Sequence, residues 1–264
     1  MKKLLLASVS AFALAGAAYG ADMTPAPAFI KAPPPPSASW AGFYLGVDGG
    51  ATRHEGSFND LGGSTIISFV PGSYVTSKTG GIFGGYAGYN FQDRSFVYGV
   101  EADISWVGAK ATETWGAISP TSFSASQSQE IPWLATFRLR AGIDFESTLF
   151  YFTGGLAVGQ VKDGLNGACS PVNTCFGANP PGTVYAGFNE DTTRVGWTAG
   201  VGVEHMFASH WTVRGEFRYV DLGRTSVTCT GIVGSVCAPA STANYRGEFS
   251  NTLMNGLVGL GYKF

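Results

Sequence analysis

Apolar residues return at every second position in eight separate stretches of this chain, the period of a β-strand with one apolar face. The third stretch, Phe96–Val107, is the most regular: Phe96, Tyr98, Val100, Ala102, Ile104 and Trp106 oppose Gly99, Glu101, Asp103 and Ser105. The fourth, Trp133–Phe145, sets Trp133, Ala135, Phe137, Leu139, Ala141 and Ile143 against Thr136, Arg138, Arg140 and Asp144. The first covers Gly42–Thr52 with Phe43, Leu45 and Val47 together, and the second covers Lys78–Phe91 with Phe83, Ala87, Tyr89 and Phe91. Phe150, Phe152, Leu156 and Val158 mark the fifth. The sixth, Thr193–Phe207, opposes Val195, Trp197, Ala199, Val201 and Val203 to Arg194, Gly196, Thr198, Gly200, Gly202 and Glu204. The seventh, Trp211–Leu222, opposes Trp211, Val213, Phe217 and Tyr219 to Thr212, Arg214, Glu216 and Arg218. The eighth closes the sequence: Thr252, Met254, Gly256, Val258, Leu260, Tyr262 and Phe264 share a face that turns aromatic at its tip.

The connections alternate in length. Strands two to three, four to five and six to seven are joined by tight turns around Gln92–Ser95, Glu146–Thr148 and Ala208–His210. The other four connections, near 53–77, 108–132, 162–192 and 223–250, are long and rich in Gly, Ser, Thr and Pro. No Asp, Glu, Lys or Arg falls on the apolar face of any of the eight segments. Lipid imposes that exclusion, because Arg or Lys at the midplane costs about 2–4 kcal/mol. The pattern predicts an all-β fold: an eight-stranded antiparallel transmembrane β-barrel with four long extracellular loops and short periplasmic turns. The aromatic-tipped last strand, with Val258, Leu260, Tyr262 and Phe264, is the closing strand and the signal read by barrel-assembly machinery. A soluble lipocalin-like barrel is the competing fold.

Composition narrows the class. Charged residues make up only 13% of the chain, aromatics 14%, and the net charge of -2 gives no reason to expect a nucleic-acid partner. No apolar run long enough for a membrane helix exists beyond the N-terminus. Residues 1–20 read as a signal peptide, with Lys2 and Lys3, an apolar stretch Leu4–Ala18 and small residues at Ala18-Tyr19-Gly20. Residues 21–39 form a Pro/Ala-rich lead-in that makes neither ladder nor helix and suits an extended periplasmic spacer. Residues 40–264 are left for the barrel, placed in the bacterial outer membrane with both termini periplasmic. Cys169 and Cys175, and Cys229 and Cys237, lie close in sequence inside polar stretches, so two local loop disulfides are expected over a metal site.

The start Ser39-Trp40-Ala41-Gly42-Phe43-Tyr44-Leu45-Gly46-Val47-Asp48-Gly49-Gly50 after a proline run resembles an alphaproteobacterial outer-membrane group. This is the Omp25/Omp31-like group of surface antigens, the porin-family or outer-membrane immunogenic proteins. Phe83-Gly84-Gly85-Tyr86-Ala87-Gly88-Tyr89-Asn90 and the ending Gly259-Leu260-Gly261-Tyr262-Lys263-Phe264 are similar to the same group. The resemblance implies an eight-stranded barrel with envelope roles, and haem binding as attributed to some members, with no residue motif to carry over.

The face opposite the lipid carries Asp48, Glu101, Asp103, Arg138, Arg140, Glu204, Arg214, Glu216 and Arg218, close to charge balance. Antiparallel pairing places Glu101 near Arg138 and Glu204 near Arg214. Buried charges need partners, so a salt-bridge network filling the lumen is expected, with the inward Gly196, Gly200 and Gly202 relieving crowding around the arginines. The alternative is a narrow ion-selective, porin-like pore lined by the same residues. A haem site would draw on His54 and Tyr74. No nucleophile, base and carboxylate are brought together by His54, His205 or His210, so no catalytic residue is assigned. The expected function is a non-enzymatic barrel supporting envelope integrity and surface interaction through its outer loops. Its expected partners are outer-membrane lipid and lipopolysaccharide, the assembly machinery, and peptidoglycan or a host surface.

Overall fold

The computed structural model describes residues 39–60, 73–115, 123–169, 184–229 and 245–264. The signal and lead-in readings lie outside these residues, as do Cys175 and Cys237 and the side chains of Cys169 and Cys229. Ten strands are present: β1 (Gly42–Asp60), β2 (Ser73–Asp93), β3 (Phe96–Val107), β4 (Lys110–Trp115), β5 (Phe123–Glu130), β6 (Trp133–Phe145), β7 (Thr148–Cys169), β8 (Val184–Met206), β9 (Trp211–Cys229) and β10 (Tyr245–Lys263). Eight of them close antiparallel into a ring, β1-β2-β3-β6-β7-β8-β9-β10, with β10 returning to β1. Closure leaves no unpaired edge to face hydrocarbon.

The alternation sorts as the pattern requires. Along β3 buried and exposed residues alternate without a break. Leu139, Phe152, Ile104 and Val258 point outward and are well exposed, in the position of lipid-facing groups. Two belts of aromatic residues bound this band. At the end carrying the short turns, Phe43 packs on Phe264, Tyr262 on Trp211 and Phe91 on Tyr98, with ring centroids 5.2–5.6 Å apart. At the other side Phe83 meets Trp106 at 5.3 Å and Trp197 meets Tyr219 at 5.4 Å. Along β3 the belts stand from Tyr98 to Trp106, roughly 26 Å of extended strand. Tilted as barrel strands are, that suits a bilayer core.

The tight turns at Arg94-Ser95 and Glu146-Ser147 each place a non-glycine residue at positive φ, 56° and 58°. That matches the twist of a two-residue hairpin. At the opposite end the strands run far past the belt, and here the bounds of the strands and of the four long connections are corrected. β1 and β2 continue pairing to Asn59–Ser73, β7 and β8 to Ala168–Val184, and β9 and β10 to Cys229–Tyr245. The 108–132 connection holds a further hairpin, β4–β5, that pairs onto β7. The physical reason is that beyond the lipid the outer side of the wall meets water while the inner side buries polar groups such as His54 and Gln129. The outer face becomes polar, so a criterion built on an apolar outer face stops early.

This extended end divides into two sheets. β2 leaves β3 after Ile82–Val107, and β8 leaves β9 after Trp197–Asp221. Above those points one sheet is β9-β10-β1-β2 and the other is β4-β5-β7-β8.

Candidate functional site

The inward side chains form layers along the barrel axis. Nearest the turn end lies an apolar layer of Trp40, Val97, Leu149, Tyr151 and Met206. Trp40 is locked there: its Nε1 donates to Asp144 Oδ1 at 2.9 Å and its backbone N–H donates to Gln92 Oε1 at 2.6 Å. Toward the extended end a broader apolar layer contains Ile82, Val107, Leu134, Val220, Leu253 and Leu257. Between the two sit the nine charges, none more than 7% exposed.

Glu101 on β3 is the hub. It accepts from Arg138 on β6, from Arg214 Nη1 at 2.8 Å on β9, and from the Tyr44 hydroxyl at 2.9 Å. Arg138 also reaches Asp103 at 3.0 Å and Glu216 at 2.5 Å, and donates to Thr153. Arg218 bridges Asp103 at 3.1 Å and Glu216 at 2.9 Å. Arg214 extends to Asp48 at 2.7 Å, and Arg140 pairs with Glu204. The mutual pairing meets the requirement that a desolvated charge have partners.

Tyrosines complete the layer. The Arg214 guanidinium lies 3.3 Å from the Tyr86 ring centroid and that of Arg140 lies 3.8 Å from Tyr151. Stacked guanidinium and ring give each cation an apolar face to rest on while its N–H fork reaches carboxylates. The Tyr151 hydroxyl donates to Glu216 at 2.9 Å.

Beyond the broad apolar layer, the two sheets of the extended end are tied by a buried polar cluster. His54 Nε2 donates to Asn251 Oδ1 at 2.9 Å in its Nε2–H tautomer, and Gln129 Nε2 donates to Asp163 Oδ1 at 3.1 Å and reaches Asn251 at 3.5 Å. Thr76 donates to Gln129 Oε1 at 3.3 Å. Burial holds the His54 pKa below its ordinary value and raises that of Asp163, because each would carry its charge away from water.

The family of the outer membrane protein beta-barrel domain matches residues 4–264. The chain belongs to this family. It is similar to the 31 kDa outer-membrane immunogenic protein of Brucella melitensis, 31% identical over 86% of this chain and 90% of the relative. The 25 kDa outer-membrane immunogenic protein of the same organism is 28% identical over all of this chain and 99% of the relative. A 22 kDa outer membrane protein of Rhizobium leguminosarum bv. viciae is 32% identical over 72% of this chain and 68% of the relative. The relatives place the chain in the Omp25/31 group of bacterial outer-membrane barrels.

Within this outer-membrane barrel, Glu101 faces Arg138 in the strand register and touches it. Glu204 faces Arg214 in the register, but its carboxylate turns to Arg140 instead, two strands away across β7. Curvature decides this, because inward side chains converge on partners across the lumen as well as on neighbouring strands. The glycines are also corrected. A β-carbon at Gly202 would run into the Tyr151 ring, and one at Gly46 into the Tyr86 ring, so close approach there makes room for tyrosines. At Gly196 the tight neighbour is the backbone of Asp221, and at Gly200 the nearest atoms are Phe217 O and Thr153 Oγ1, with Arg218 present only through its backbone. Tyr44, Tyr86 and Tyr151 are lumen residues beyond the sequence reading, although Tyr44 shares the parity of Asp48 on β1, and Tyr86 and Tyr151 stand opposite in parity to the outward Phe83 and Phe152 on their strands. His54 is buried in the polar cluster, and the Tyr74 side chain lies outside the described residues. His205 meets Thr148 at 3.0 Å and His210 stacks on Tyr262, both at the turn end. Val258 and Leu260 face outward on β10, and Phe264 is exposed just past its end.

Proposed function

We propose that this protein is a non-enzymatic surface protein whose filled barrel serves as an anchor for the two-sheet extension at its far end. The short-turn end is periplasmic in this reading, and the extension stands outside the cell, where it contributes to envelope integrity and surface contact. The observation that carries it is the layering of the interior: two apolar layers enclose a charge network whose members neutralise one another. Eight strands leave room for side chains only, which disfavours a pore lined by these charges. The names of the Brucella relatives, immunogenic proteins, support exposure of the extension as a surface antigen.

The haem reading draws less support, since His54 is committed to Asn251 inside the wall. The outward Val258 and Leu260 and the exposed Phe264 suit a role of the last strand in engaging assembly machinery. Planar-bilayer recording on the refolded chain tests the anchor reading. No discrete conductance is expected. Reproducible ion-selective steps that change in Arg138→Ala would overturn it in favour of the pore.

A further inference from the structure

Trp40 closes the turn end of the lumen, yet it stands outside the ladder that holds the wall. β1 first pairs with β2 at Gly42–Asn90 and with β10 at Tyr44–Lys263, and the Phe264 N–H donates to Phe43 O at 3.0 Å. All of these contacts come after Trp40 in the chain. Gly42 turns the backbone at a φ of 125°, a value that L side chains rarely adopt, and a β-carbon there would stand 3.2 Å from Phe264 O. That turn carries the indole inward, 2% exposed, into the layer of Val97, Leu149, Tyr151 and Met206. The two hydrogen bonds that hold it lie at the rim. Its indole N–H reaches Asp144 and its backbone N–H reaches Gln92, both half-buried, and Gln92 Nε2 donates to Asp144 Oδ2 at 3.2 Å. Gln92 also donates to Arg94 O at 2.9 Å, and the Asp144 N–H donates to Ser95 O at 2.7 Å, so both acceptors are tied to the β2–β3 turn. Water can replace bonds at a half-buried rim at small net cost.

We propose that Trp40 is a hinged latch on the floor of the barrel. It swings out about Ala41 and Gly42 while β1 stays paired, because the hinge precedes the ladder. Its release uncovers Tyr151 and the Arg140 guanidinium, which lies 3.8 Å from that ring's centroid. Load on the chain before Ser39 meets the rim bonds and the seated indole before it meets any ladder bond. The charge network and the broad apolar layer remain in place above, so release admits water to the floor and opens no pore. That the floor faces the periplasm rests on the orientation proposed above; the latch does not.

The test uses the full refolded chain in detergent, with tryptophan oxidation and tyrosine nitration mapped by mass spectrometry. Oxidation of Trp40 should be slow in the wild type. Asp144→Ala or Gln92→Ala should speed it about tenfold, the effect of losing one hydrogen bond. The outward Trp106 and Trp197 should react at unchanged rates. Trp40→Ala should open Tyr151 to nitration. Heat-dependent gel mobility verifies that each variant is a closed barrel. Trp40 reacting as slowly in both rim variants as in the wild type overturns the latch. So does oxidation confined to samples that have lost the folded mobility, since Trp40 then leaves only with β1. Tyr151 as inert in a folded Trp40→Ala barrel as in the wild type overturns Trp40 as the cover of the floor. Should Trp40→Ala fail to fold, the rim variants decide. An epitope in the 61–72 connection, probed on intact cells, tests the orientation independently of the latch.

Discussion

At the scale of single residues, the interior is governed by the cost of desolvating charge. Arg138 touches three carboxylates, so Arg138→Ala should leave Glu101, Asp103 and Glu216 crowded without their common partner and cost about 3–5 kcal/mol. Glu101→Ala should do similar damage, and the double mutant should recover part of it in a cycle of urea unfolding in lipid vesicles. Near-zero coupling would mean hydrated, independent charges. His54 makes a separate prediction. Its folded pKa lies below the unfolded value, so its contribution is complete above about pH 6.5 and is lost as the pH falls below that. Asp163 works in the other direction: its folded pKa is raised, so it favours folding more at acid pH and loses that as the pH rises. Lys78 is the register partner of His54 on β2, and Glu190 is that of Asp163 on β8. Between pH 7 and 5, β1 and β10 beyond the belt should therefore loosen more in wild type than in His54→Gln. The check is hydrogen exchange compared between the two proteins at each pH; parallel behaviour would remove His54 from the account.

At the scale of elements, strands were read correctly where they crossed lipid and cut short where they left it. Phe96 to Trp106 announced β3 completely, because hydrocarbon on one side and a packed lumen on the other give each position a single tolerable chemistry. The upper half of β1 offers no such contrast: Arg53 and Glu55 face water on one side while His54 is buried on the other. A hydrophobic-outside rule reads that stretch as loop. The β4–β5 hairpin was lost for the same reason, being Ser/Gln-rich with Gln129 turned inward. The apolar layers are inner-face features and can be tested as elements. Leu253 is fully buried in the broad layer, so Leu253→Ala should cost about 2–5 kcal/mol in vesicle unfolding. It should open no conductance, since the charge layer still blocks the lumen.

At the scale of the whole molecule, stability comes from closure. A ring of eight strands satisfies every ladder hydrogen bond within hydrocarbon, so opening one seam exposes backbone along two edges at once. The folded protein should accordingly resist SDS at room temperature and shift its gel mobility on boiling. Identical migration of boiled and unboiled folded samples would contradict a closed barrel. Above the belt closure is given up along the β2/β4 and β8/β9 boundaries, where water can satisfy the edges, and Gln129 joins the two sheets there through Thr76 and Asn251.

The alternation of side chains by itself determined the barrel, its ring of eight membrane strands, the lipid face and the charged residues that point into the lumen. It did so because period two is a local property and lipid tolerates no exception. The partners inside the lumen were decided only by the tertiary structure. Glu101 with Arg138 was legible, because neighbouring strands joined through one connection have a register that can be counted. Glu204 with Arg140, Glu216 with Arg138 and Glu101 with Arg214 join strands that are not neighbours. Those pairs depend on the tilt and curvature of the closed wall, which set the height at which each inward side chain meets the others, and no spacing along the chain encodes that height.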